Sequence, residues 1–192
     1  MNPLVVVNFH RADELPKVAR LSNIIGENFR GISNFEIPMT SWRFDSMRKF
    51  DVEWTKRFLR RFLEETQFDC LVKIDPDTKL KGHLPLPENR CDVAGDFRYY
   101  IHGWVWFGGY HFFTRRAVEI LLNDPLYSGI SPIQDMPLTQ AVVRNHLTAL
   151  NMADVNCCRI PFEPKTIVSH PARYFIPRLP PGIIDFNMVS SN

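Results

Sequence analysis

The stretch Lys73-Ile74-Asp75-Pro76-Asp77-Thr78 sets two carboxylates one residue apart, directly behind the apolar run Cys70-Leu71-Val72. At the end of a buried strand such neighbours repel each other unless water or a cation offsets their charge. Mg²⁺ and Mn²⁺ are hard cations that take oxygen ligands, commonly one or two carboxylates completed by water and phosphate oxygens. Asp75 and Asp77 are therefore candidate metal ligands, and a phosphate-bearing substrate is the natural companion of such a metal. The same residues are good turn formers, so a plain turn remains the competing reading. Other chemistry-bearing groups are Asn8, His10 and Arg11 in a polar turn after an apolar run, the pair Gly108-Gly109, Asp135, and His170 before Pro171. Asp135 also suits a helix N-cap, and Gly108-Gly109 a tight turn. His83, His102 and His111 are rival imidazole ligands.

These residues need a frame. "LVVVNF" (4–9) reads as a buried, β-branched strand, followed by a helix over 12–25 with Pro16 in its first turn. "ISNFEIP" (32–38) reads as a second strand. The helix over 51–67 is the clearest: Trp54, Phe58 and Phe62 recur at helical spacing, with Lys56, Arg57, Arg60 and Arg61 outside. That basic set reads as a solvated face. Strands follow at 68–74, 91–97 and 103–109, then helices at 114–124, with Thr114 as N-cap, and at 135–150. Closing strands are expected at 154–160 and 165–169. Strand–helix alternation early and more strand late argue an α/β fold with a central mixed β-sheet flanked by helices. In such sheets ligands sit beyond the carboxyl ends of the strands, where Asp75, Asp77 and the turn at 8–11 all fall.

Composition bounds the rest. The chain has 192 residues, 45% of them hydrophobic, enough for one sizeable core. We expect one domain over 1–176 and a Pro-rich tail over 177–192. A net charge of +2 gives no argument for nucleic acid or a membrane surface. The cysteines, Cys70, Cys91, Cys157 and Cys158, lack metal-knuckle spacing and read as reduced thiols. No run of about 18 apolar residues occurs. A soluble, cytoplasmic protein without a membrane span is the expectation.

With these motifs in hand, the chain resembles the glycosyltransferases of GT-A fold, family-2-like and DxD-containing. "VVVNFHRADELPKVARLS" is similar to their opening nucleotide-binding strand and helix. "FDCLVKIDPDTKL" looks like their metal-binding strand. "WFGGYHFFTRRAVEILL" resembles the segment lining donor sugar and acceptor. "QDMPLTQAV" is similar to the segment carrying the base of inverting members, and "VSHP" to a late metal-ligating His. The resemblance implies a single GT-A-like, Rossmann-like domain and transfer of a sugar from a nucleotide-diphosphate donor, chiefly a UDP-sugar, to an acceptor hydroxyl with inversion. It implies Mn²⁺ or Mg²⁺ on Asp75, Asp77 and His170. Donor contacts fall to Asn8, His10, Arg11, Asp75, Gly108 and Gly109, and the base to Asp135. The acceptor stays open among protein, glycan and modified nucleic-acid base. Gln134 departs from the family's usual acidic residue, and the region 26–66 is short. Alternatives are a transferase-like module that binds nucleotide sugar without turnover, a nucleotidyltransferase, and a phosphatase of the haloacid-dehalogenase type. In the last, Lys79 stands where a Thr is expected.

Overall fold

A computed structural model describes residues 1–9, 11–33, 50–78, 80, 84–88, 90–100, 103–131, 135–152 and 181–186. The first strand, β1 (Pro3–Phe9), is buried from Leu4 to Phe9. Its β-branched run suits a strand covered on both faces. One detail departs from the sequence reading. Asn8 and Phe9 belong to β1 rather than to a polar turn, because the ladder carries on to pair them with Ile32 and Ser33. A single 3₁₀ turn (Ala12–Glu14) leads into α1 (Leu15–Ile25), with Pro16 in its first turn. The next strand, β2 (Phe29–Ser33), starts ahead of the expected 32–38 segment, whose residues from 34 lie outside the described set.

Next come β3 (Phe50–Asp51), α2 (Glu53–Glu64), β4 (Cys70–Ile74), β5 (Val93–Tyr100) and β6 (Gly103–Thr114). They are followed by α3 (Arg115–Asn123), β7 (Ile130–Ser131), α4 (Asp135–Arg144), β8 (Ala149–Asn151) and β9 (Gly182–Ile183). Seven strands form one mixed sheet in the order β2-β1-β4-β6-β5-β8-β9, and β3 pairs with β7 in a small antiparallel ribbon. β1 is parallel to β2 and β4, and β5 to β8; β6 runs antiparallel to both of its neighbours, and β9 antiparallel to β8. The expected architecture, an α/β fold with a central mixed sheet flanked by helices, is the one observed.

Alternation along the strands makes two cores. Leu4, Val6, Leu71 and Phe113 face α2, α3 and α4, packing with Phe58, Phe62, Val118, Leu121, Leu138 and Val142. Val5, Val7, Val72, Ile74 and Phe112 face α1 through Val18 and Leu21. The periodicity of α2 is realised as read: Trp54, Phe58, Leu59 and Phe62 are buried, while Arg60, Arg61 and Glu64 face water. α3 has the expected cap, the Ala117 amide donating to Thr114 Oγ1 at 3.2 Å.

Three expectations change. Gly108-Gly109 is not a turn between elements; both glycines lie within β6. There the register jumps from Gly95 opposite His111 to Asp96 opposite Phe107, leaving residues 108–110 of β6 unopposed on that side. α4 stops at Arg144 instead of running to 150. His146 takes a left-handed φ of 52°, which ends the helix, and Ala149–Asn151 become β8. The tail also contributes to the sheet: Gly182–Ile183 pairs with β8, while Ile184 and Phe186 pack on the core. The expected strands at 154–160 and 165–169 lie outside the described residues. Among the described residues, no helix is long and apolar enough to cross a membrane.

Candidate active site

The carboxyl ends of β1 and β4 lie side by side, because the two strands are parallel and in register from Pro3 opposite Cys70 to Val7 opposite Ile74. Asn8 follows Val7 on β1, and Asp75 follows Ile74 at the end of β4. β6 returns antiparallel on the other side of β4, and the Asp75 amide donates to the Gly109 carbonyl at 3.1 Å. The Thr78 amide then donates to the Asp75 carbonyl at 3.1 Å, closing the turn 75–78. From α1, Arg20 Nη2 donates to the Thr78 carbonyl at 2.7 Å. The rim thus fixes the backbone of the Asp-x-Asp turn from both flanks. The Asp77 residue is exposed and Asp75 is partly so.

Asp75 has a cation beside it from its own strand. Lys73 Nζ lies 2.5 Å from Asp75 Oδ1, and the Lys73 side chain is only 7% exposed against 40% for Asp75. Residues two apart share a face of a strand, so the pairing follows from the pleat. A buried lysine without a partner would be costly, and this carboxylate meets that cost. Across the ladder from Lys73 stands His111, buried at 3% exposure. Its Nε2 is 3.5 Å from the Trp106 carbonyl, and its Nδ1 has no hydrogen-bond partner among the described residues. Burial above all, and then the nearby Lys73 charge, push the His111 pKa down to about 3, so the ring is neutral. As a rival metal ligand His111 is badly placed, since it sits inside the sheet's helical face among Trp106 and Phe113.

Trp106 is the hub of that face. It stacks on Phe97 with centroids 5.0 Å apart and stands edge-on to His111 at 4.6 Å. Its amide donates to Thr139 Oγ1 at 2.7 Å, and that hydroxyl donates to the Asp135 carbonyl at 2.7 Å. This relay docks the start of α4 on β6. Asp135 is the first residue of α4 in the structure, inside the helix rather than before it, and is partly buried. Tyr127 lies close by. Burial first, with the Asp135 and Glu53 carboxylates adding to it, raises its phenol well above the ordinary value. Tyr127 also carries Lys56 Nζ 5.6 Å from its ring centroid, which links the start of α2 to the neighbourhood of Asp135.

Of the residues singled out by sequence, the fold gathers Asn8, Asp75, Asp77 and Gly109 at one rim, with Gly108 beside Gly109 in β6. Asn8 is nearly buried: its Nδ2 is 3.5 Å from the Trp54 carbonyl, and its Oδ1 lacks a hydrogen-bond partner among the described residues. Arg11 is exposed, and its guanidinium engages Asp13 through Nε at 2.8 Å and through Nη2. His10, His83, His102 and His170 lie outside the described residues. Among the described residues, no group of three or more His, Cys, Asp and Glu side chains forms a ready-made metal site. The donor chemistry of the turn still fits a hard divalent ion: two carboxylates, both reaching water, on a backbone pinned by three hydrogen bonds. The residues that sequence reasoning passed over are Lys73 and Thr139, while Trp106, read as one of an aromatic run more often core than sugar platform, is buried. A lysine within an otherwise apolar buried strand, two places before an aspartate, is the signal that would have found the first.

No family model matches the sequence, and no curated protein matches it. Among solved structures, A197 from STIV is similar at 15% identity and a TM-score of 0.47, over 80% of this chain and 82% of that one. A likeness at that level assigns neither family nor function.

Proposed function

We propose that this protein is a metal-dependent glycosyltransferase that moves a sugar from a nucleotide-diphosphate donor, a UDP-sugar first among them, to an acceptor hydroxyl with inversion. The observation that carries the reading is the placement of the Asp75–Thr78 turn. It stands at the carboxyl rim of the parallel strands β1 and β4, on a backbone held by Gly109 and Arg20. Ligands of α/β sheets bind at such rims.

Asp75 and Asp77 would hold Mn²⁺ or Mg²⁺, joined by His170 on the strength of the family resemblance, and the ion would neutralise charge on the departing diphosphate. Asn8 and Gly109 border the donor. Asp135 takes the proton of the acceptor hydroxyl as that oxygen bonds to the anomeric carbon. The bond from that carbon to the diphosphate oxygen breaks, and its electron pair leaves with the diphosphate. The Thr139–Trp106 relay holds the first turn of α4, and with it Asp135, against the sheet. Among the described residues, Cys70 and Cys91 are free thiols whose pKa burial raises to about 11.

A panel of sugar nucleotides with and without Mn²⁺ tests the proposal, read first by thermal shift and then by release of nucleotide diphosphate. Bound donor raises apparent stability by mass action. Asp77→Asn is expected to lose metal-dependent donor binding. Asp135→Asn is expected to keep donor binding and lose transfer by about 10²-fold or more. Unchanged donor affinity in Asp77→Asn would count against the assignment. Donor binding by the wild type without any nucleotide release would favour the second reading, a binding module.

A further inference from the structure

Lys73 is an unusual residue to find in β4. Its neighbours in the strand are all buried, and its own side chain is nearly as enclosed as theirs. Lysine is rarely buried unless paired, and here the ammonium is aimed along the strand at the carboxylate two residues on. That carboxylate is also one of the pair proposed to take a metal. Two cations are thus directed at one acid.

We propose that the Lys73 ammonium is a resident cation of the Asp75–Asp77 turn, a positioning residue that shares Asp75 with an incoming divalent ion. The inference rests on the reading that this turn binds metal, and deepens it. With no ion bound, Lys73 offsets the repulsion between the two carboxylates and keeps Asp75 oriented at the rim. A divalent ion that ligates Asp75 brings a second positive charge next to the ammonium, and like charges at such separations repel strongly where water is scarce. Binding must therefore displace the ammonium or proceed against it. Either way the protein's affinity for the ion is set below that of two unencumbered carboxylates. Asp77, exposed and outside the strand, becomes the first point of capture, and Asp75 the ligand that is recruited at a cost.

The test is direct Mn²⁺ binding, followed by the electron paramagnetic resonance of the free ion, to wild type, Lys73→Met and Asp77→Asn. Removing the ammonium is expected to tighten Mn²⁺ binding by about tenfold or more, the size of a carboxylate's response to one nearby charge. Asp77→Asn is expected to weaken it. Because Lys73→Met alters a buried position, a second measurement uses the wild type alone. The ¹³Cε resonance of Lys73 is followed while Mg²⁺ is added, and it is expected to move in step with ion binding. Mn²⁺ binding by Lys73→Met no tighter than by wild type would overturn the proposal. So would a Lys73 resonance that stays still at saturating Mg²⁺, or an absence of ion binding in both proteins. If the tightening is found while no sugar nucleotide is ever consumed, the transferase reading falls and the role of Lys73 stands.

Discussion

At the scale of single residues, the rim is a place where burial and charge compete, and His111 shows which wins. The ring is enclosed, sits opposite Lys73, and is neutral because burial pushes its pKa from 6.5 to about 3. The unfolded chain takes up a proton as pH falls through 6.5, and the folded chain does not. Stability from this residue is complete above pH 6.5 and is lost as pH falls toward 3. Glu65 acts in the same direction at lower pH. Its hydrogen bond from Arg30 holds the carboxyl below its ordinary 4.5, so its contribution is present above 4.5 and lost as pH falls through the folded value. Denaturation midpoints followed downward from neutrality should thus decline in two stages. In His111→Phe the decline between pH 6.5 and 4.5 should flatten while the later one remains. An unaltered slope in that variant would show that His111 is already charged in the fold. Sequence alone offered His111 only as one imidazole among several. Nothing in a chain of letters says that it faces a tryptophan rather than a metal, since that depends on which strand pairs with β4.

At the scale of elements, local pattern and tertiary demand can be separated case by case. Strand β1 and helices α2 and α3 were legible because each carries its signal within its own residues: a β-branched run, an apolar stripe, a threonine cap. The Asp-x-Asp turn was legible for the same reason. Helix α4 was read too long because Leu147 and Leu150 continue its apolar spacing. They are buried, but beyond the helix, after the chain reverses at His146. The two glycines of β6 were read as a turn because glycine usually marks one. Here they lie in the irregularity that lets β6 bring Trp106 over Gly95. A Cβ on Gly95 would stand 2.1 Å from Trp106 Nε1 and 2.8 Å from the Tyr110 carbonyl. The indole therefore lies where any side chain at 95 would go. Gly95→Ala should displace Trp106 from Phe97 and His111 and cost about 1–3 kcal/mol or more, the usual toll of overpacking. Urea unfolding measures the loss, and tryptophan fluorescence reports the displaced ring. A variant as stable as wild type, with unchanged emission, would mean that the β5–β6 irregularity absorbs the methyl group.

For the molecule as a whole, the sheet joins two kinds of partnership. β5 and β6 pair as neighbours in sequence, whereas β1 reaches β4 across a long separation, 67 positions from Asn2 to Asp69. The fold class was legible because alternating strands and helices admit few arrangements. The strand order was not, because β6 inserts between β4 and β5, and no local pattern encodes that. The order has a kinetic side. Closing a long loop must precede the reward of its contacts, so distant pairings tend to form late. Formation of the hairpin with α3 and α4 should lead, and annealing of β1 should follow. Substitutions such as Phe113→Leu should slow refolding, while Val6→Ala should chiefly speed unfolding, as stopped-flow chevrons would reveal. The Asp75 turn needs β1 on one flank and β6 on the other. The turn proposed to take a metal would then be among the last parts of the chain to mature, so a nascent protein would enclose the hairpin side of its interior before that rim took shape.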